Sequence, residues 1–337
     1  CFVLWGLLWA VFFVLDGFDF GMGTLLPFLA KNDEEKRIIY NAAGPYWDGN
    51  EVWLITAGGV TFAAFPKAYA VMFSALYAPL LILPSALIFR AVSFEFRNKK
   101  DCPQWRKFWD ACQFLGNFLP ALLLGVAFAN LFMGIPIDGN GVYHGNIIKL
   151  LNPYGLAGGI FFVLIFCMHG ALWLALKSEG DIHERAVGAA QVGWPLVLSV
   201  ALLFLALTAF YTNLYANYAE HPTLLVFPIL AVASLLTVRV MIWADNLLGA
   251  WFFSALFIIT VTFFGVLGMY PGIIISSIDP AYSVTVFNGA SSQLTLKIML
   301  GVTLCCIPVV IAYQAWVYYT FAHKVTPESL QKDDHAY

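Results

Sequence analysis

Apolar residues occur along this chain in blocks of more than twenty, broken by short polar stretches, with neither the strict alternation of a strand nor the single stripe of a soluble helix. A helix needs roughly 20 apolar residues to cross the hydrocarbon core of a bilayer. The blocks predict membrane helices near 2–29, 38–65, 68–97, 108–133, 155–178, 184–212, 222–243, 247–270 and 292–321. The expected fold class is therefore all-α: a polytopic integral membrane protein of about nine transmembrane helices, forming one transmembrane domain over 1–337. The second span is the least regular, because Pro45, Asp48, Gly49 and Asn50 interrupt its first half and Pro66 ends it. Re-entrant geometry competes with a full crossing there. The connections 134–154, 213–222 and 271–291 are rich in Gly, Pro, Asn, Tyr and Asp and read as ordered surface loops. No short-period tandem repeat is visible, although four plus four spans would permit an inverted one.

Composition sharpens this picture. Of 337 residues 61% are hydrophobic and 11% charged, against roughly 25% charged in soluble domains. No length is left over for a sizeable soluble domain. A net charge of -3 without a concentrated basic face argues against nucleic acid as a partner. The Lys and Arg residues are instead distributed by connection. Lys31, Lys36, Arg37, Arg97, Lys99, Lys100, Arg106, Lys107, Lys177, Arg185, Lys324 and Lys332 fall on one side, twelve against the two of Lys67 and Lys149 opposite. Cytoplasmic loops carry the positive excess, so the N-terminus is expected outside (periplasmic) and the C-terminus in the cytoplasm, as an odd number of spans requires. Because the chain runs from Cys1 straight into an apolar span with no small-residue cleavage site, a removable signal peptide is not expected.

Ionisable residues inside a bilayer cost about 2.5 to 3.5 kcal/mol on insertion scales and need a partner or a role. Asp16 and Asp19 in the first span are spaced i, i+3 and share one helix face, an arrangement suited to proton exchange or to a hydrogen bond with a neighbouring helix. Gly17, Gly21 and Gly23 beside them suit close helix packing. Asp48 and Asn50 are candidates both for proton carriage and for capping a helix that begins at Glu51. Arg90 lies seven residues inside Arg97, roughly 10 Å deep, and is expected to pair with a buried carboxylate such as Asp48 or Asp19. Glu95, nearer the cytoplasmic edge, reads either as a solvated residue or as a proton entrance. Asp110, Asn117, Asn130, Gln191, Arg239 and Asp245 read as structural.

The metal signals are sparse. Six cysteines show no CxxC pair and no Cys/His cluster, which speaks against iron–sulfur or structural zinc sites. Only His169 lies well inside a span, whereas a low-spin b haem needs two axial ligands. His169 reads as a packing histidine, so no cofactor and no metal are expected on this chain.

With these residues in view, the chain resembles subunit II of the cytochrome bd quinol oxidases. The resemblance is carried by Asp16-Gly-Phe-Asp19-Phe-Gly-Met-Gly23, by Trp47-Asp-Gly-Asn-Glu-Val-Trp-Leu54 running on to Ala63-Ala-Phe-Pro66, by Phe89-Arg90 with Phe94-Glu-Phe-Arg97, and by Ser291-Ser-Gln-Leu-Thr-Leu296. It extends over the whole chain in the order and number of spans. The resemblance implies a nine-helix, multi-pass subunit of the bacterial inner membrane that binds no haem itself and pairs with a subunit I carrying haems b558, b595 and d. Small single-span accessory subunits are further possible partners. It also implies that the complex oxidises quinol at the outer face and reduces dioxygen to water with cytoplasmic protons, without pumping. The family's proton path at the subunit interface matches Asp16, Asp19, Asp48 and Arg90; Glu51 and Glu95 join that set from their own positions in the sequence. Two rival readings are a proton-coupled secondary transporter, since paired intramembrane acids also build coupling sites, and an accessory subunit with an assembly role alone.

Overall fold

The computed structural model describes residues 1–332 and residue 337. Helix α1 (Phe2–Leu29), apolar nearly all round, is mostly buried, with Val3 and Leu7 exposed on one stripe near its start and Phe28 near its end. A short amphipathic helix, α2 (Asp33–Ala43), follows; Asn32 caps it by accepting the Glu35 N–H at 2.8 Å, and three acids occupy its first turn. After a turn come α3 (Trp47–Ala64), α4 (Pro66–Ala75) and α5 (Tyr77–Phe96). Helix α6 (Pro103–Met133) precedes a loop with the single turn α7 (Ile147–Leu150), then α8 (Pro153–Lys177) and α9 (Gly180–Tyr211). The short α10 (Leu214–Glu220) leads to α11 (Val226–Trp243) and α12 (Leu247–Met269). A two-stranded antiparallel ribbon, β1 (Gly272–Ile274) with β2 (Val284–Thr285), precedes α13 (Gln293–Thr320) and α14 (Pro327–Lys332).

Among the described residues, eight helices are long and apolar enough to cross a membrane: α1, α5, α6, α8, α9, α11, α12 and α13, with α5 and α11 each extended by a 3-10 turn. The segment expected as one helix near 38–65 is two, divided at Gly44–Tyr46. Pro45 cannot donate a backbone hydrogen bond, and the acids of α2 favour an interfacial helix that starts before the apolar run. The segment expected near 68–97 likewise divides at Leu76. Pro79 lacks the N–H that would bond the carbonyl of Ala75 and carry α4 into α5.

α1 packs against α3, α6, α8 and α12, which form a shell around it. Close approach sets this geometry. A Cβ on Gly21 would overlap the backbone carbonyl of Phe166 in α8, and one on Gly125 of α6 would overlap that of Gly158. Rings of Trp9, Phe12, Phe13, Phe128, Phe162 and Phe166 fill the space above these contacts, largely edge to face.

Contacts between the connections put the turns near residues 30, 98, 178 and 322 at one end of the bundle. Arg97 is buried between Asp33 (2.6 Å) and Asp110 (2.7 Å), and Lys36 reaches Asp110 at 2.8 Å. Arg185 of α9 forms an ion pair with Glu35 at 2.7 Å and donates to the Leu29 carbonyl at 2.9 Å. Lys177 bonds Tyr46 and the Phe321 carbonyl. Elsewhere, the 134–154 and 271–291 loops are joined: Ile135 N–H donates to Ile275 O at 2.9 Å and Ser276 Oγ to Ile137 O at 2.6 Å.

Candidate functional site

The polar centre of the bundle begins on α1. Asp16 and Asp19, one turn apart, are both buried. The Arg90 guanidinium, fully buried on α5, donates from Nη1 to Asp16 Oδ1 at 2.8 Å and from Nη2 to Asp16 Oδ2 at 3.2 Å. The same Nη2 donates to Glu51 Oε2 of α3 at 2.7 Å. The guanidinium carbon also lies 4.9 Å from the centre of the Phe20 ring. Two carboxyl groups, one buried and one half-buried, thus share one guanidinium, in an environment where an unpaired charge is costly.

Asp19 takes a different partner. Its Oδ2 accepts Asn50 Nδ2 at 2.7 Å, while Asn50 Oδ1 accepts the Tyr318 hydroxyl of α13 at 3.0 Å. Asp19 Oδ1 is buried without a hydrogen-bond partner among the described residues. Gln314, one turn before Tyr318, donates to Gly49 O and accepts Trp53 Nε1, both at 3.0 Å.

Of the six residues singled out from the sequence, Asp16, Asp19, Glu51 and Arg90 therefore meet. Asp48 and Glu95 do not join them; both side chains are exposed. Arg90 pairs with Asp16 and Glu51 rather than with Asp48, because Asp48 sits in the first turn of a helix that already starts at Trp47 and its side chain is exposed rather than turned into the cluster. For the same reason neither Asp48 nor Asn50 is a cap: Tyr46 holds that position. Trp47 stacks on Phe94 at 5.2 Å beside this exposed face, and the Tyr337 ring packs on Phe94 at 5.3 Å.

Sequence reasoning missed Tyr318 and Gln314 and misread Asn50. The available signal was Gln314, the one amide within the largely apolar run 298–317, with Tyr318 one turn further on.

His169 packs as a structural residue. Its Nδ1 meets Ser254 Oγ at 2.5 Å, its Nε2 meets the Val14 carbonyl at 3.1 Å, and its ring lies parallel to Trp251 at 5.2 Å. With both nitrogens engaged, the imidazole does not fit the role of axial haem ligand. Among the described residues no group of three or more His, Cys, Asp and Glu side chains is placed to hold a metal ion, and all six cysteines are free thiols. Of the other polar residues read as structural, Asn130 donates to the carbonyls of Val126 and Leu150 and accepts Asn152, while Arg239 donates to Gln191 O and lies over Trp194 and Trp243.

Fold and site together define a polytopic helical membrane protein organised around a buried carboxylate–guanidinium cluster. The family described as cytochrome bd terminal oxidase subunit II matches residues 1–321. The chain is 37% identical over 331 residues to the cytochrome bd ubiquinol oxidase subunit 2 of Bacillus subtilis, covering 96% of each protein. It is 34% identical over 374 residues to the cytochrome bd-I ubiquinol oxidase subunit 2 of Escherichia coli K12, covering 99% of this chain and 97% of that one. In three dimensions it superimposes on a chain of the bd oxidase from Geobacillus thermodenitrificans with a TM-score of 0.77, covering 95% and 96% of the two chains, at 15% identity, a likeness of fold. The chain belongs to the cytochrome bd terminal oxidase subunit II family. It is a multi-pass subunit of a terminal oxidase of the bacterial inner membrane, in a complex that includes a subunit I and carries haem.

Proposed function

We propose that this chain is the non-haem subunit of a quinol:dioxygen oxidoreductase, that it supports assembly of the haem-bearing subunit I, and that it supplies part of the path by which cytoplasmic protons reach the oxygen site. The observation that carries the reading is the buried Asp19 Oδ1, unpartnered beside the Asp16–Arg90–Glu51 cluster. A carboxylate oxygen so placed is available to take up and release a proton, and low dielectric gives hydrocarbon alone no means of conducting one. Exposed Asp48 and Glu95 collect protons at the surface. Half-buried Glu51 receives them, and Asp16 and Asp19 hold them inside, with Arg90 fixing the position of Asp16.

The haems b558, b595 and d belong, in this reading, to subunit I, where they supply the electron transfer and oxygen chemistry; the full engagement of His169 supports that division. Quinol is oxidised on the outer side by subunit I, and charge separation arises because the protons for water come from the cytoplasm. The basic end of the bundle supports a cytoplasmic C-terminus and an outer N-terminus. At 18 residues, about 27 Å long, α3 is long enough to serve as the ninth crossing.

The deciding experiment measures quinol-driven oxygen uptake of the intact complex carrying Glu51→Gln, alongside reduced-minus-oxidised haem spectra. Uptake reduced about tenfold or more with unchanged spectra is expected; full turnover removes this chain from the proton path.

A further inference from the structure

Asp19 of α1, Asn50 of α3 and Tyr318 of α13 join three helices through one chain of side-chain hydrogen bonds. The Tyr318 hydroxyl donates to Asn50 Oδ1 at 3.0 Å, and Asn50 Nδ2 donates to Asp19 Oδ2 at 2.7 Å. Asp19 and Asn50 are both buried, and Asp19 Oδ1 has no partner among the described residues. A side-chain amide has a donor end and an acceptor end. Turned the other way, Asn50 would present its oxygen to Asp19, and only a carboxylic acid protonated on Oδ2 could bond it.

The phenol decides between these two arrangements. Asn50 Oδ1 is the one acceptor that the Tyr318 hydroxyl meets among the described residues. With the amide turned, the phenolic proton would lose that acceptor, a cost that the observed arrangement avoids. Tyr318 is itself held in place on several sides. Its ring lies 4.6 Å from that of Tyr46 and 5.6 Å from that of Trp173. One turn before it, Gln314 donates to Gly49 O at 3.0 Å. Three residues after it, the Phe321 carbonyl accepts the Tyr46 hydroxyl at 2.6 Å, and Lys177 donates to that hydroxyl at 2.8 Å.

We propose that Tyr318 is a positioning residue for proton exchange at Asp19: acting through Asn50, it keeps the amide N–H on Oδ2 and leaves Oδ1 as the oxygen that takes up and releases the proton. This role rests on the reading of Asp19 as a proton carrier. In one exchange an O–H bond forms at Oδ1 and then breaks, the proton coming from and returning to the path proposed above, while Asn50 and Tyr318 keep every proton they hold. Without the phenol the amide is free to turn and to accept an acid proton on Oδ2, which ties down the proton that has to move.

The test measures quinol-driven oxygen uptake of the intact complex against pH, with haem spectra to verify assembly. The charged and titratable groups around Asp19 are Asp16 on its own helix, Glu51 on α3 and Arg90 on α5, which binds both acids, with Tyr46 and Lys177 beside the Tyr318 ring. His169 of α8 is engaged by Ser254 and Val14, α12 carries no titratable residue, and α6 carries them only near its start. All of these stay unaltered in Tyr318→Phe. That variant is expected to slow uptake several-fold and to displace the pH profile toward higher pH, where a proton held by Asn50 leaves more readily. In an Asn50→Leu background it should change neither rate nor profile further, because the phenol acts through the amide. If Asn50→Leu does not assemble, Asn50→Ala, which also lacks the amide, takes its place. Gln314→Met loosens α13 one turn away without touching the Asn50 side chain, and should leave the pH profile where it is. A native rate and profile in Tyr318→Phe, an equal loss with and without the Asn50 amide, or the same displacement in Gln314→Met overturns the positioning role alone. Loss of haem from Tyr318→Phe marks a folding residue and does the same. Full turnover in Asp19→Asn overturns the role together with the proton-carrier reading beneath it.

Discussion

Arg90 holds Asp16 through both of its terminal nitrogens, at 2.8 and 3.2 Å, with both side chains fully buried. Removing either partner leaves an uncompensated buried charge, which costs about 3–5 kcal/mol, whereas replacing both by apolar groups of similar volume is often tolerated. Arg90→Met is therefore expected to lower the melting temperature and yield of the complex, and Asp16→Leu with Arg90→Met to recover part of that loss. Thermal melts of the purified complex followed by haem absorbance check this. The double variant should remain slow in oxygen uptake, since stability and proton carriage separate here.

Asp19→Asn keeps the volume of the side chain and its place beside Asn50 but removes the exchangeable proton. Oxygen uptake is expected to fall about tenfold or more while the haem spectrum and melting temperature change little. A matching loss of haem would instead mark Asp19 as a folding residue.

Glu35 gives a prediction on pH. Burial alone would raise its pKa, but the Lys31 backbone N–H at 2.6 Å and the Arg185 guanidinium outweigh burial and hold the carboxyl below its ordinary value. A carboxylate with a lowered folded pKa stabilises above its unfolded pKa, roughly 4.3, and the contribution disappears as pH falls through the folded value. Glu35→Gln should accordingly lower the melting temperature at pH 7, and the gap to the unaltered protein should close as the solution is taken below about pH 4. A gap independent of pH would assign the effect to packing.

Gly21→Ala should be severe. The added Cβ would overlap the Phe166 carbonyl, and backbone cannot yield as a side-chain tip does. Overpacking of this kind costs typically 1–3 kcal/mol and occasionally more. Membrane levels of the subunit, measured by blotting, are expected to drop sharply. Gly188→Ala, which meets nothing within 4 Å, serves as the neutral comparison.

The membrane helices were legible because the apolar blocks match bilayer thickness, and the first-span acids because any charge in such a block stands out. Three features were not. The break between α2 and α3 depends on a proline turn and an acid-rich first turn competing with a hydropathy window that runs through both. The Arg90–Asp16 pairing depends on how α5 crosses α1, which no one-dimensional pattern specifies; charge and depth alone favoured Asp48 or Asp19. Tyr318 escaped notice because a tyrosine in an aromatic-rich span is ordinary, and only the fold brings it 268 positions back along the chain to Asn50.

That last contact bears on how the protein is made. α13 has no buried residue of its own, and among the described residues its side-chain hydrogen bonds to the rest of the bundle run through Gln314 and Tyr318. It is synthesised after α1 to α12, which include the shell around α1. Until residue 318 emerges, the Asn50 carbonyl lacks its donor and the Asp19–Asn50 pair stays open on one side. The chemistry of α1 is thus completed by a helix made much later, and a translation product cut short before α13 would leave the acid site unfinished.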